Sequence, residues 1–135
     1  MISLSLKDKV VVVTGGTQGV GEAIARGAAE AGAAGLCITG RNMQRGDAVA
    51  ADISKKGTPT IFVAAELGDE KACRNVMAQT EKKFGRIDVV VNNAGGTGQA
   101  AFEKVADTEF KHDIEIKVMA QVRSEEHTSE LQSRP

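Results

Sequence analysis

Short apolar runs alternate along the chain with longer stretches in which apolar residues recur every three or four positions. Val10–Val13 is a run of four valines between Lys9 and the glycines Gly15 and Gly16. An unbroken β-branched run of this kind suits a strand buried on both faces of a parallel sheet. Glu22–Ala31 is rich in alanine and predicts a helix. Gly35–Thr39, which holds Leu36, Cys37 and Ile38, predicts a second strand. Asn42–Lys55 predicts a helix with Ala48, Val49 and Ile53 on one side, closed by Gly57 and Pro59. Thr60–Ala64 predicts a third strand. Asp69 is placed to cap a helix running to Phe84, with Val76 and Phe84 inward and Gly85 as its stop. Arg86–Val91 predicts a fourth strand, and Phe102–Val122 a long final helical region whose Phe110, Ile114, Val118 and Val122 share one face.

Strand and helix therefore alternate four times, which predicts an α/β architecture: a parallel sheet with helices on both faces and right-handed crossovers. The pattern corresponds to one mononucleotide-binding half of a Rossmann-type, doubly wound sheet plus the first strand of the other half, with strand order 3-2-1-4. The expected fold is thus truncated. Val89–Val91 reads as a central strand, yet it has no neighbour on one side, an exposed apolar edge prone to aggregation.

Composition narrows the function classes. A chain of 135 residues is enough for one domain, and 41% hydrophobic residues are enough for a core. The 17 Lys and Arg against 18 Asp and Glu leave a net charge of −1. That balance argues against a nucleic-acid or membrane-surface binder. Cys37 and Cys73 are too few for a disulfide framework and lack metal-ligand spacing, and no apolar run approaches the ~20 residues of a membrane span. Lys7, Asp8 and Lys9 leave no room for a signal-peptide core, so a cytoplasmic domain is expected. The 15 glycines are an excess over the usual share of about 7%. They concentrate where the chemistry is.

Directly after the first strand comes Thr14-Gly15-Gly16-Thr17-Gln18-Gly19-Val20-Gly21, and then a helix. A dinucleotide pyrophosphate needs this context. Gly15 permits a sharp turn, Gly19 lets backbone N–H groups approach phosphate, and Gly21 lets the helix sit close on the strand. The spacing, together with Asn92-Asn93-Ala94-Gly95 after the fourth strand and Leu6-Lys7-Asp8-Lys9-Val10 before the first, resembles the short-chain dehydrogenase/reductase family from residue 3 to about residue 122.

The resemblance implies roles for individual residues. Gly15, Thr17, Gln18, Gly19, Val20 and Gly21 would wrap the pyrophosphate and adjacent ribose. Asn93, Ala94 and Gly95 would border the ribose and nicotinamide, while Asn92 would brace the central sheet. Glu66-Leu67 stands where many relatives carry an adenine-holding aspartate. At the end of the second strand, Thr39-Gly40-Arg41-Asn42 lacks the carboxylate that NAD binders place against the ribose hydroxyls, and Arg41 offers donors suited to a 2′-phosphate. NADP(H) is expected over NAD(H), with Arg41 and Asn42 at that end of the site.

Relatives carry out their chemistry with a serine, a tyrosine and a lysine from the second half, and this chain contains no tyrosine. Lys117 stands at the family's helical asparagine, where it could orient substrate or be an ordinary surface cation. No catalytic residue is expected within the chain. Arg123–Ser133 also matches, residue for residue, the translation of a widely used sequencing-library adapter. That match predicts a native part over 1–122 and a non-native, frayed or disordered tail over 123–135. On this reading His127, Glu125 and Glu126 form no metal site, and His112 is a solvent-facing helical residue. Cys37 would pack as a small hydrophobe, and Cys73 lies beside Lys71 and Arg74.

The resemblance implies an NADP(H)-dependent oxidoreductase interconverting a carbonyl and a secondary alcohol on a small molecule, assembling as a dimer or tetramer through its fourth and fifth helices. The chain would keep the cofactor half and be inactive alone. A non-catalytic NADP(H)-binding sensor or scaffold on the same fold is the alternative. A methyltransferase binding S-adenosylmethionine shares the strand–glycine–helix logic but gives no reason for the Asn-Asn-Ala-Gly turn.

Overall fold

A computed structural model of the chain describes residues 2–95, 108, 111 and 114–132. Four parallel strands, β1 (Val10–Val13), β2 (Gly35–Gly40), β3 (Thr60–Ala64) and β4 (Val89–Val91), form one sheet in the order β3-β2-β1-β4. Helices α1 (Gly19–Glu30), α2 (Met43–Lys55) and α3 (Glu70–Phe84) connect them. A π-helical turn, Glu115–Met119, then leads into α4 (Ala120–Gln132).

The valine run explains the centre. Val11 and Val13 point to one face, with Leu36 and Ile38, and meet Ala25 and Ala28 of α1 and Val49 and Ile53 of α2. Val12 and Cys37 point to the other face and meet Cys73, Val76 and Met77 of α3 and Ala120 of α4. The two cores are thus separated by the two-residue alternation of a strand, and both faces of β1 are sealed. Each buried valine contributes about 1.5–3 kcal/mol relative to exposure.

Local signals set the helix ends. Asn42 Oδ1 accepts a hydrogen bond from the Arg45 N–H at 2.9 Å, and Asp69 Oδ1 accepts one from the Lys71 N–H at 3.0 Å. Gly85, at φ 79°, ends α3 and donates its N–H to the Glu81 carbonyl at 2.7 Å. At the outer edge of the sheet, the Ser54 hydroxyl accepts from the Thr60 N–H and lies 3.2 Å from the Thr60 carbonyl, to which it donates.

Four features differ from the sequence expectation. Helix α1 begins at Gly19 rather than Glu22, because the Glu22 N–H already closes a turn on the Gln18 carbonyl at 3.2 Å. Strand β4 begins at Val89 rather than Arg86. There the Asp88 carboxylate is drawn to the Val10 N–H at 2.8 Å and to the Arg86 guanidinium at 2.6 and 2.8 Å. Ile114, Val118 and Val122, expected on one helical face, are all substantially exposed, and Ala120 turns inward instead. The π-helical turn between them rotates the face that meets α3. Much of the expected Phe102–Val122 region, including Phe110 and His112, lies outside the described residues. Finally, residues 123–132, expected to fray, continue α4: Arg123 donates to the Gly68 carbonyl at 3.0 Å and pairs with Glu115 at 2.8 Å.

Candidate functional site

The carboxyl ends of the strands open into a cleft of about 500 Å³. Its walls are the loop 15–21, the tip of β2 from Thr39 to Arg41, the segment 65–67 after β3 and the segment 93–95 after β4. This is the crevice beside a topological switch point, where a parallel sheet places its ligands. Of the cofactor-binding residues expected from the sequence, all but Asn42 line it. Asn42 is spent on capping α2. The Lys117 side chain lies outside the described residues, as does that of His127.

The loop floor is built by close approach. Gly15 and Gly19 adopt φ 67° and 55°, a region open to glycine at little cost. A Cβ at Gly21 would drive into the Gly15 carbonyl oxygen and the Asn93 amide, so only glycine lets α1 start against the strand ends. The first turn of α1 has no side-chain cap at Gln18. Its leading N–H groups and the positive end of the helix dipole face the loop, an arrangement suited to an anion. Val20 stands 70% exposed at the rim, an apolar side chain left bare beside the cleft.

Thr14 organises the opposite wall, a role the sequence reading did not assign. Its buried hydroxyl accepts from the N–H groups of Asn93 and Ala94, each at 3.0 Å, and lies 3.3 Å from the Val91 carbonyl, to which it donates. Asn93 Nδ2 donates to the Thr14 and Gly15 carbonyls at 3.1 and 3.2 Å. Bracing of the central sheet therefore falls to Asn93. Asn92, expected in that role, reaches outward to Glu125 at 3.3 Å. The signal in the sequence was the polar Thr14 ending an all-valine strand.

At the far end of the cleft, Arg41 extends from the tip of β2 and faces Glu66 at 3.8 Å, both well exposed. Arg45 of α2 donates to the Gln18 side chain, tying α2 to the loop. Thr39 Oγ1 accepts from the Gly15 N–H at 3.4 Å, and the Gly16 N–H donates to the Thr39 carbonyl at 3.0 Å. Thr39, Gly40 and Ala65 thus complete the walls, each adjoining a motif residue in sequence.

The cysteines stand apart from this site. Both are free and fully buried. Burial pushes the Cys37 thiol up to about 11, against a weaker opposing hydrogen bond from Thr80, and burial likewise raises Cys73, whose Sγ donates to the Leu67 carbonyl at 3.4 Å. Neither is poised as a thiolate. Among the described residues no group of three or more His, Cys, Asp or Glu side chains could hold a metal, and no helix is long and apolar enough to cross a membrane.

A parallel 3-2-1-4 sheet with a glycine-lined anion cradle at its switch point defines a Rossmann-type dinucleotide-binding fold. The short chain dehydrogenase family model matches residues 9–131, and the chain belongs to that family. A 3beta-hydroxysteroid dehydrogenase of Mediterraneibacter gnavus is 36% identical over 112 residues, covering 82% of this chain and 40% of the relative. The structure of L-sorbose reductase from Gluconobacter frateurii, complexed with NADPH and L-sorbose, superposes with a TM-score of 0.90 at 29% identity, covering 96% of this chain and 49% of that one. A short chain dehydrogenase from Burkholderia cenocepacia in complex with NADP gives 0.88 at 30% identity, covering 93% and 51%. The chain spans about half the length of these proteins or less.

Proposed function

We propose that this chain is the cofactor-binding half of an NADP(H)-dependent oxidoreductase that interconverts a carbonyl and a secondary alcohol on a small molecule. The observation that carries the cofactor choice is the tip of β2. Gly40 offers no carboxylate to ribose hydroxyls, and Arg41 beside it presents a guanidinium at the cleft. The NADP- and NADPH-bound neighbours support the same choice.

The cleft fits such a group, because the Gly15–Gly21 contact leaves a cradle that any side chain would fill. Gly19, Val20 and Gly21 would meet the pyrophosphate with the N-terminus of α1, and Thr17 and Gln18 would flank it. Arg41 would meet the 2′-phosphate, with Asn42 holding the start of α2 in place. Glu66 and Leu67 would border the adenine, and Asn93, Ala94 and Gly95 the nicotinamide ribose. Once bound, the cofactor supplies or accepts a hydride. The chain has no tyrosine to serve as the family's acid–base group, so binding without turnover is expected of the 135 residues alone. Two unpaired, buried cysteines support a reducing, cytoplasmic setting. The exposed Ile114, Val118 and Val122 support assembly of the whole protein through this helical region.

We further propose that the tail over 123–135 is not native sequence, even though the family model's match runs on to residue 131. The face α4 turns inward after Ala120 is polar: Ser124 Oγ is buried without a hydrogen-bond partner among the described residues, and the Thr128 hydroxyl, which donates to the Ser124 carbonyl at 2.8 Å, lies 3.3 Å from the Met77 sulfur. Sequencing the source locus through codon 122 tests this. Continuation into a fifth strand supports it, and the same tail in the genomic DNA overturns it.

The cofactor reading is tested by titrating the chain with NADPH and NADH. With no Trp or Tyr, the change in nicotinamide fluorescence is free of protein overlap. Tighter binding of NADPH, lost on Arg41→Ala, is expected. Equal affinities, or no binding, would overturn the reading.

A further inference from the structure

We infer that Thr17 is a specificity-determining residue: its branched side chain closes the position at Gly40 to the carboxylate that would recruit NAD(H). The inference rests on the NADP(H) reading above and deepens it, because it names the residue that keeps that choice from being reversed.

The geometry is direct. A Cβ built on Gly40 would lie 2.9 Å from both Oγ1 and Cγ2 of Thr17, and 3.5 Å from its Cβ. Ordinary carbon contacts begin at about 3.5 Å, so both branches obstruct while the Thr17 Cβ does not. Rotation about χ1 gives no escape. The three staggered positions on a threonine Cβ hold an oxygen, a methyl and a hydrogen. Two of those positions face Gly40, so every staggered rotamer leaves at least one heavy atom against it. Nor can Thr17 swing away as a whole, since it is only 5% exposed within the loop. Gly40 sits at the spacing, about 20 residues past the glycine loop, where dinucleotide sites that choose NAD(H) carry their acidic residue. The absence of a carboxylate and the presence of a β-branched residue at 17 are therefore two halves of one device.

The device makes an unusual demand on substitution. Replacing Gly40 by aspartate, which introduces the NAD-type carboxylate, should fail while a branched residue stands at 17. It should succeed when one branch is removed. Serine has a single Oγ that can turn into the free position, alanine has none, and valine keeps both branches without the hydroxyl.

The test compares Gly40→Asp alone with its combinations with Thr17→Ser, Thr17→Ala and Thr17→Val in the 135-residue chain. NADPH and NADH titrations and thermal melts followed by circular dichroism are the readouts. Gly40→Asp alone is expected to lower the melting temperature and weaken both cofactors. Adding Thr17→Ser or Thr17→Ala should restore the melting temperature and invert the NADPH:NADH preference by about tenfold or more, whereas adding Thr17→Val should leave the behaviour of Gly40→Asp alone. A full switch by Gly40→Asp alone, or equal rescue by valine and serine, would overturn the inference. The melting arm needs no cofactor. If the parent chain shows no NADPH preference, the functional reading fails while the steric coupling is still decided by rescue of the melt.

Discussion

The hydroxyl of Thr14 holds the backbone of Asn93. It accepts the Asn93 and Ala94 N–H groups at 3.0 Å each, across a sequence separation of 79 and 80 residues, and so joins the glycine loop to the opposite wall of the cleft. Thr14→Val preserves the shape and removes the acceptor, leaving the Ala94 N–H without it in partly buried surroundings while the Asn93 N–H keeps the Val91 carbonyl at 3.1 Å. A loss of about 1–3 kcal/mol in urea unfolding is expected, with weaker NADPH binding. Thr14→Ser should retain most of both. An unchanged valine variant would show that water substitutes for the hydroxyl.

Asp88 predicts the acid limit of the fold. The Arg86 guanidinium holds its carboxyl below the usual carboxylate range, and the Val10 N–H adds to this against the opposing effect of burial. The folded value is thus below the unfolded one of about 3.9. The stabilisation is fully present above about pH 3.9 and is lost as pH falls through the depressed folded value. Asp88→Asn should lower the melting temperature at pH 7 and flatten its dependence below pH 4, measured by melts across that range. Parallel curves for both chains would remove Asp88 from the account.

Glu66 restrains Arg41. Their separation of 3.8 Å and exposure make the pair nearly irrelevant to stability, but it competes for the guanidinium proposed to meet a 2′-phosphate. Glu66→Gln should leave the melting temperature unchanged and tighten NADPH binding about two- to fivefold at low salt, the size of an exposed ion pair. The gain should shrink as salt is raised, since exposed charges are screened. Equal tightening of NADH would place the effect on the adenine.

The thiols report on folding. Cys37 and Cys73 should stay silent toward a thiol-reactive disulfide at pH 8 and both react once the chain is unfolded in urea. Burial raises the Cys37 thiol from its ordinary value near 9 to about 11. Its contribution to stability is therefore intact below pH 9 and lost as pH rises towards 11. Cys37→Ala should remove that alkaline component. Fast labelling of the native chain would show that this core opens readily.

Much of this was legible because it is local. The valine run, the Asp69 cap, the Gly85 stop and the glycine loop each declare themselves within a few residues, and the alternation of elements dictates strand order. What could not be read depends on residues brought together across the sheet. Thr17 meets Gly40, Thr14 meets Asn93, and Asp88 turns its carboxylate to Val10 instead of extending β4. The exposure of Ile114 and Val118 was hidden for another reason: a four-residue repeat fixes a face only in a regular helix, and here a π-helical turn intervenes.

Strand β1 pairs its Val11, Val12 and Val13 with Val89, Val90 and Val91 of β4, the edge strand beside it. Six identical side chains cannot tell this alignment from the one that sets Val89–Val91 against Val10–Val12, because that slide replaces valine with valine. The information that locks the pair lies outside the run, in the Asp88 carboxylate at Val10 and the Thr14 hydroxyl at Val91. The paired valines thus supply cohesion without address. If both polar pins were removed, the strands would keep their attraction and lose their place, and the cleft assembled at their tips would be misaligned with them.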